Sequence, residues 1–412
     1  MKLIYQTLFI MMYQPVKVTS FVVREFLQQV NKTRAALTIG VPKENSRFEK
    51  RLSLTPEAVA LLVDEGHKVI LESGAGLPIN YSDNYYAESG AIIVDSQAKV
   101  FEANLILKIS PPTLQEVKLM RPRTTVFSFL QQPMLSSIVL EAMSAKRINA
   151  LAYDLVYDKE GASPFATAIS EIEGASAITL AAELMSNSNG GKGILMGGVP
   201  GVSPTEVVII GADVAGTIAA RAAFALGAMV KVFDNDINKL RLIQHTLGRT
   251  LFTSTLQPNV LRNTFRSADV LIGAMEYINQ PHRDRISEDL IRELKQGALI
   301  IDLRLAQGGC FETTMEACIP GAPTIFHKHG ILHFCEMSIS SRVARTASMA
   351  LSNIFASLFQ AMAVGGGIIG LAQSDHGFSS GFYMFSGKMV NPYVANLFNL
   401  PVNDIGLFLP GY

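Results

Sequence analysis

The chain has 412 residues, 49% of them hydrophobic, which is enough for two or three domains with sizeable cores. Acidic and basic residues balance at 35 each, a balance that argues against a nucleic-acid partner. Charged residues make up only 17% and no run of 18 apolar residues occurs, which indicates no membrane span and much buried surface, including the subunit interfaces of a homo-oligomer.

Residues 1–36 are expected to form a packed N-terminal extension. The apolar stretch from Leu3 to Tyr13 follows Lys2, as in a signal peptide, but no small-residue cleavage site comes after it. Apolar residues at helical spacing predict a helix over residues 17–33. Three cysteines cannot all pair and match no metal-ligand spacing, which favours a reducing, cytoplasmic location.

Residues 37–163 alternate between short apolar strands and helices. A proline at the first helical position and a glutamate in the first turn predict a helix from Pro56 to about Gly66, and a second helix is predicted over residues 82–91. Strands are predicted at residues 36–40, 68–72, 91–94, 105–109, 124–130 and 150–157. This alternation is typical of βαβ units and a parallel sheet.

The central part of the chain continues this alternation with a sharper pattern. Residues 169–185 predict a long helix rich in Ala and Ser, which suits a hinge helix packed closely between domains. A loop rich in Gly and Asn follows. Further elements are predicted at residues 206–210 (strand), 214–226 (helix), 229–234 (strand), 270–273 (strand), 298–302 (strand) and 344–363 (helix).

The turn after the strand at 206–210 predicts a dinucleotide-binding (Rossmann) unit. Gly211, Asp213 and Gly216 occupy the three glycine positions of a GxGxxG motif between strand and helix. Asp234 closes the second strand, where a carboxylate bonds the adenosine ribose hydroxyls and repels the extra phosphate of NADP. The unit therefore predicts NAD as the cofactor.

Asp213 is a departure from this motif. The middle position is normally glycine, so that the backbone can approach the pyrophosphate. A carboxylate about 4 Å from a phosphate costs roughly 4 kcal/mol at an effective dielectric near 20, and about 1 kcal/mol in bulk water. We therefore expect NAD binding to be roughly ten- to a thousand-fold weaker. In the alternative, Asp213 points outward and the loop shifts.

Four motifs, in this order along the chain, resemble one known family. Gly40–Glu44 reads GVPKE, Arg51–Pro56 reads RLSLTP, Gly197–Gly201 reads GGVPG and Gln307–Glu312 reads QGGCFE. The chain thereby resembles the alanine dehydrogenase and pyridine nucleotide transhydrogenase alpha family over about residues 38–405. The last two motifs favour the bacterial alanine dehydrogenase branch. A transhydrogenase alpha subunit, which predicts a membrane partner, is the alternative.

The resemblance implies a fold and an activity. It implies an α/β protein with two Rossmann-like domains, in which an NAD-binding domain (164–340) is inserted into a discontinuous substrate domain (37–163 and 341–412). It also implies oxidation of L-alanine to pyruvate and ammonium with NAD, a small amino or keto acid as substrate, and a homo-oligomer, hexameric in the bacterial branch. A dehydrogenase of this type needs a cation for the substrate carboxylate and acid–base groups near the amine carbon.

The family's catalytic set is only partly present. The arginine of the family falls on Arg51, which can hold a carboxylate with two parallel hydrogen bonds; a surface ion pair is the alternative. The catalytic lysine, histidine and aspartate positions read Ser110, Gln131 and Ala306. None of these three side chains can shuttle a proton near neutral pH.

Other residues match cofactor positions of the family. Ser170 falls on a hinge-helix serine near the nicotinamide-side phosphate, and Lys239 on a lysine beside the adenine ribose. Arg304 is a cation at a strand end that would face the nicotinamide pocket. We expect it either to recruit an acidic ligand or to pair with Asp302 or Asp213.

Two hypotheses follow from the substituted positions. In the first, the chain is an alanine dehydrogenase-type oxidoreductase with reduced or altered activity. In the second, it is a catalytically lapsed, non-enzymatic oligomer that binds a nucleotide, a carboxylate or another protein. We expect no metal site, because His327, His329 and His333 have no carboxylate or cysteine at ligand spacing.

Overall fold

The computed structural model describes residues 36–45, 47, 49–277, 285–319 and 321–409. The predicted N-terminal extension, apart from its last residue, and the helix predicted at residues 17–33 lie outside the described residues. The predicted α/β class is confirmed, because the described chain folds into two Rossmann-like sheets flanked by helices.

The first sheet combines strands from both ends of the chain. Its order is β15-β14-β6-β5-β4-β1-β2-β3, and the six strands from β6 to β3 run parallel. The strands are β1 (Thr38–Val41), β2 (Lys68–Glu72), β3 (Ile92–Val94), β4 (Leu105–Leu107), β5 (Thr125–Ser128), β6 (Asn149–Ala152), β14 (Phe382–Phe385) and β15 (Lys388–Met389). Since β14 pairs with β6, the C-terminal segment completes the sheet that the N-terminal segment begins.

The second sheet lies in the middle of the sequence, in the order β12-β13-β11-β10-β7-β8-β9. Its strands are β7 (Glu206–Ile210), β8 (Met229–Phe233), β9 (Phe252–Ser254), β10 (Val270–Gly273), β11 (Leu299–Asp302), β12 (Ile325–Lys328) and β13 (Ile331–Phe334). From β7 the chain passes to β8 and β9 on one side of β7, and it then crosses to β10 on the other side. Such a reversal opens a crevice at the carboxyl ends of the strands, where nucleotides bind in this fold.

Helices cover the faces of both sheets. They are α1 (Pro56–Asp64), α2 (Asp83–Glu88), α3 (Gln97–Val100), α4 (Leu114–Leu119), α5 (Ser137–Ala145), α6 (Pro164–Leu184), α7 (Val214–Ala225), α8 (Ile237–Leu247), α9 (Pro258–Phe265), α10 (Glu288–Ile291), α11 (Ala344–Gly365), α12 (Gly367–Ser374), α13 (His376–Ser379) and α14 (Pro392–Phe398).

Helix α6 packs tightly against α7, as its small residues suggested. Gly174 of α6 lies so close to α7 that an added Cβ would sit 2.3 Å from the carbonyl oxygen of Ala215. The small side chains of Ala177 and Ala181 are also fully buried at this helix pair. The same helix carries Ser170 and Glu173, so this packing fixes one wall of the site described below.

Three predictions about secondary structure need correction. Helix α6 begins at Pro164 rather than residue 169, because Ser163 caps it and proline suits its first turn. The strand predicted at 150–157 ends at Ala152, and Tyr153–Leu155 forms a helical turn. Both sheets are mixed rather than parallel, since β12 and β14 pair antiparallel at or near a sheet edge.

One helical stretch of the described residues, Ile339–Gly365, is long and apolar enough to cross a membrane by length and composition. In the structure it is a core helix. Leu351, Phe355 and Phe359 are fully buried and pack in the core with residues of the first sheet. Its apolar composition therefore reflects burial within the protein.

Candidate active cleft

A cleft lies where the carboxyl ends of strands from both sheets meet. Its walls come from the segments after β5, β6, β10 and β11 and from helix α6. Lining residues include Arg51, Phe129, Gln131, Asp154, Ser170, Glu173, Glu276, Arg304, Ala306 and Ser338. The open volume is only about 70 Å³, because charged side chains fill most of the space.

Arg51 is buried and already engaged in this cleft. Its Nε and Nη2 donate to the two carboxylate oxygens of Glu49 at 2.8 and 2.7 Å, and Nη1 donates to Ser340 Oγ at 3.0 Å. The guanidinium also lies 5.4 Å from the centre of the Phe129 ring. The alternative of a surface ion pair is therefore wrong. Arg51 does form an ion pair, with Glu49, but the pair is buried.

Arg304 forms the second buried ion pair. Its Nη1 lies 3.3 Å from Glu173 Oε2, and Nη2 donates to Ser170 Oγ at 3.4 Å. Only the backbone N–H of Arg304 bonds Asp302, at 2.9 Å, so the predicted side-chain pair with Asp302 or Asp213 is corrected to Glu173. Among the described residues Arg304 Nε has no hydrogen-bond acceptor.

Glu173 joins the two arginines into one network. Its Oε1 accepts from Ser338 Oγ at 3.4 Å and from Ser340 Oγ at 3.3 Å, while Ser340 also accepts from Arg51. Burial raises the pKa of Glu173, and the charges of Arg304 and Arg51 oppose that rise. We call Glu49, Arg51, Glu173, Ser340 and Arg304 the arginine–glutamate network. Its two cations and two carboxylates leave it with no net charge.

The substituted family positions fall in two adjoining spaces. Gln131 and Ala306 line the cleft beside Arg51, whereas Ser110 lines a neighbouring cavity that Gln131 also borders. Gln131 adopts a left-handed backbone conformation with φ of +35°, uncommon for a residue other than glycine. The structure thus brings Arg51, Gln131 and Ala306 together in the cleft and places Ser110 in the neighbouring cavity.

Lys108 does not reach the cleft. Its Nζ lies 2.7 Å from Glu116 and 3.5 Å from Glu44, and all three side chains are buried. Glu44 also accepts the backbone N–H of Ile109 at 2.6 Å. This cluster fixes the end of β4, just before Ser110, and has a structural role.

The dinucleotide turn has the close approaches that its glycines require. Gly211 has φ of +110°, and a Cβ there would lie 2.5 Å from the backbone of Ala274. A Cβ on Gly216 would lie 2.0 Å from the carbonyl oxygen of Gly211. Asp234 Oδ2 accepts the backbone N–H of Ala212 at 2.8 Å, so this carboxylate holds the turn.

Asp213 and Lys239 form an ion pair at the mouth of this turn. Asp213 Oδ1 lies 2.5 Å from Lys239 Nζ, and the Asp213 side chain is 15% exposed. Burial alone would lower the pKa of Lys239, but the bond to Asp213 raises it. Lys239 therefore neutralises part of the charge of Asp213, and the two paired side chains are only 33% and 15% exposed.

Asp154 is a carboxylate that the sequence analysis did not single out. Its Oδ1 accepts the backbone N–H of Leu130 at 3.0 Å, and the side chain lines the cleft near Gln131. Burial raises its pKa to about 6. The sequence analysis places residue 154 inside the strand predicted at 150–157. An acidic residue directly after a parallel strand is the signal that could have identified it as a site residue. Glu173 was missed as well, although it lies one helical turn after Ser170.

The histidines named in the sequence analysis are not grouped. His333 is buried, bonds Thr313 Oγ1 at 3.0 Å and stacks on Phe326, and burial lowers its pKa to about 4. His329 bonds Glu288 at 2.6 Å. No three His, Cys, Asp or Glu side chains cluster in metal-binding fashion within the part of the chain that the structure describes.

Asp154→Asn is expected to raise the free energy of unfolding by about 1–2 kcal/mol at pH 8. The folded-state pKa of about 6 lies above the ordinary value of 3.8, so ionisation of Asp154 disfavours the folded state as pH rises through that interval. The gain in the free energy of unfolding should shrink below pH 6 and approach zero near pH 4. Urea titrations across this range test it, with exposed Asp95→Asn as control; an equal gain in both variants would contradict the assignment.

Comparison with known proteins relates the whole described fold to one family. The N-terminal domain model of the alanine dehydrogenase/PNT family matches residues 40–172, and the C-terminal domain model matches residues 177–392. Together the two matches cover most of the chain, including both walls of the cleft.

Individual relatives agree with these matches. The alanine dehydrogenase of Mycolicibacterium smegmatis is 35% identical over 377 residues, covering 90% of this chain and 100% of the relative. That of Staphylococcus epidermidis is 33% identical over 369 residues, covering 90% and 99%. A solved L-alanine dehydrogenase superposes with a TM-score of 0.77 at 29% identity, covering 88% and 99% of the two chains. A transhydrogenase from Sinorhizobium meliloti shares the fold, with a TM-score of 0.68 at 21% identity, covering 86% and 99%.

Proposed function

Since the chain belongs to the alanine dehydrogenase/PNT family, we propose that it is an NAD-binding oxidoreductase of alanine dehydrogenase type whose turnover of L-alanine is strongly reduced or altered. The observation that carries this proposal is the lining of the cleft. Gln131 and Ala306 stand beside Arg51, where proton-transferring side chains are required. Loss of one acid–base group costs about 10² to 10⁴ in rate.

The residues present support binding of the nicotinamide dinucleotide. Gly211 and Gly216 form the close turn, and Asp234 and Lys239 border the place expected for the adenosine ribose. NAD, when bound, accepts a hydride from the substrate Cα. Asp213 is the one poor fit, because it occupies the middle position of the motif, where glycine normally lets the backbone approach the pyrophosphate.

The remaining polar groups suggest how a slow reaction would proceed. Arg51 is the anchor for the substrate carboxylate, but an incoming carboxylate must compete with Glu49 for the guanidinium. Asp154 lines the cleft and burial raises its pKa to about 6, so above pH 6 it can accept a proton from the substrate ammonium group. Activity, where present, should therefore fall as pH decreases through about 6.

The second candidate is a catalytically lapsed, non-enzymatic binding protein. The observation that favours it is the occupation of both buried arginines: Arg51 by Glu49 and Arg304 by Glu173. With these two cations paired internally, the described residues of the cleft offer no unpaired cation for a substrate. Such a protein would keep the family's fold and oligomer while losing the reaction.

One pair of measurements separates these candidates. We expect calorimetry to detect NADH binding, with NADPH weaker because of Asp234, and L-alanine oxidation at least about 100-fold slower than that of the Mycolicibacterium smegmatis enzyme. Absence of nucleotide binding at millimolar concentrations would favour the lapsed protein. Turnover equal to that of the relative would overturn both candidates.

The proposal includes assembly into a homo-oligomer, of which a hexamer is one form, in a reducing cytoplasm. Leu195, Val199 and Val202 form an apolar loop surface with 68%, 52% and 64% of each residue exposed, which suits a subunit contact. Cys310, Cys318 and Cys335 are buried and form no disulfide, as a reducing compartment favours. Sedimentation equilibrium measures the assembly.

Asp213→Gly is expected to strengthen NADH binding about tenfold, the lower end of the range that its charge alone suggests. Lys239 already neutralises part of that charge, and the substitution also releases Lys239 toward the phosphates. Calorimetry at two salt concentrations measures the change, with Asp213→Asn separating charge from shape. Unchanged affinity in both variants would show that Asp213 does not oppose the cofactor.

A further inference from the structure

A second cavity adjoins the cleft and is much larger. It encloses about 360 Å³, against about 70 Å³ for the cleft, and falls within the size range of small-molecule sites. Gln131, Met337 and Ser338 line both spaces, so the two are neighbours across a shared wall. A ligand held in the cleft would reach the cavity only by passing these three residues.

The far side of this cavity is mostly apolar. It is formed by Met134, Ala317, Ile319, Ala322 and Pro323. Ile319 is 65% exposed, a large apolar side chain left uncovered at the edge of the cavity. The two carboxylates in the lining are both paired, Glu49 with Arg51 and Glu336 with Arg342 at 3.5 Å.

Position 110 decides how many cations line this space. Arg47 is one of its lining residues, and a lysine at 110, as the family resemblance implies, would add a second cation, whereas Ser110 leaves a small hydroxyl. Gln131 on the shared wall is uncharged. The same substitutions that remove acid–base groups thus leave a partly apolar space, lined also by Arg47 and the two paired carboxylates, next to the place expected for the substrate Cα.

We propose that this cavity binds the side chain of a 2-oxo acid or 2-amino acid larger than pyruvate or alanine, with an extended apolar group. The inference rests on the proposed function, because it places the carboxylate at Arg51 and the Cα in the cleft. The apolar chain then passes Gln131 and Met337 and packs against Met134, Ala317 and Ala322. Each methylene buried there strengthens binding about fourfold.

The test compares two named probes, pyruvate and 4-methyl-2-oxopentanoate. Calorimetry measures their binding with and without NADH, so that the readout does not depend on turnover. A parallel assay follows reductive amination, in which the oxo acid, ammonium, NADH and a proton give the amino acid, NAD⁺ and water. Binding with no turnover would refute the proposed activity while leaving the cavity's selectivity measurable.

We expect the larger acid to bind at least about tenfold more tightly than pyruvate. Ala322→Phe, which fills the cavity, should remove that preference and leave pyruvate binding within twofold. Ala87→Phe, the same change at an exposed position on α2, should leave the preference intact. Ile319→Ser should reduce it several-fold without a folding penalty, because Ile319 is already exposed.

Three results would overturn the proposal. Pyruvate could bind as tightly as the larger acid, or neither acid could bind at millimolar concentration. Finally, Ala322→Phe could change the sedimentation behaviour and leave selectivity unaltered, in which case the cavity belongs to a contact between copies of the chain.

Discussion

Replacement of Ser110, Gln131 and Ala306 together by lysine, histidine and aspartate is expected to raise the rate of L-alanine oxidation by at least about 100-fold. Gln131 and Ala306 already line the cleft with Arg51, so the new histidine and aspartate would stand beside the substrate. A lysine at 110 starts in the adjoining cavity, which Gln131 also borders. It would add a cation to that cavity.

The single variants should each recover little, because residues that act as one catalytic unit contribute non-additively. The matched control is the triple variant Ser110→Met, Gln131→Leu, Ala306→Ser, which changes the same positions without adding acid–base groups. Initial rates are measured at saturating NAD, together with NADH affinity. An equal gain in the control, or no gain with unaltered NADH binding, would refute the explanation given for low activity.

Glu173→Ala is expected to lower the free energy of unfolding by about 3–5 kcal/mol. Removing one partner of a buried ion pair leaves the other charge desolvated and uncompensated. Here Arg304, with Nε already lacking an acceptor among the described residues, would also lose its contact to Glu173. Glu173→Gln keeps two hydrogen-bonding atoms and should cost less.

The exposed pair of Arg121 and Glu102 offers a matched comparison. Its side chains are 61% and 56% exposed, so Glu102→Ala should cost less than about 1 kcal/mol. Urea denaturation can be followed by circular dichroism or tyrosine fluorescence, since the chain has no tryptophan. A loss below about 1 kcal/mol for Glu173→Ala would show that water or rearrangement satisfies Arg304 in the variant.

Much of the fold was predictable because its local signals agree with one another. The strand at 206–210, the glycine turn and the helix after it each favour the same βαβ unit, and β2 and β7 match their predicted bounds. The start of α6 was placed too late, although Ser163 and Pro164 are a helix-start signal, because the apolar pattern is clearest further on. The antiparallel pairing of β14 with β6 joins segments that lie far apart in the sequence, and hydrophobic periodicity does not predict such pairing.

For the candidate site, individual residues could be predicted from the sequence, but the contacts between them could not. Sequence patterns and the family resemblance located Arg51, Gln131 and Ala306, and the structure places all three in one cleft. The partner of Arg304 could not be predicted, because Glu173 lies 131 residues away in the sequence. The glycine turn indicated Asp213, but its pairing with Lys239 depends on how helix α8 lies against that turn.

The arginine–glutamate network also bears on how a ligand arrives. A cleft lined by unpaired arginines would attract carboxylates over about a Debye length, near 10 Å at 0.1 M salt, and speed their capture. Here each guanidinium is neutralised at close range by Glu49 or Glu173. The network therefore projects little field into solution, so a carboxylate must arrive by unassisted diffusion. The network can then distinguish ligands only after contact, when a ligand carboxylate replaces Glu49 or Glu173 as the partner of an arginine.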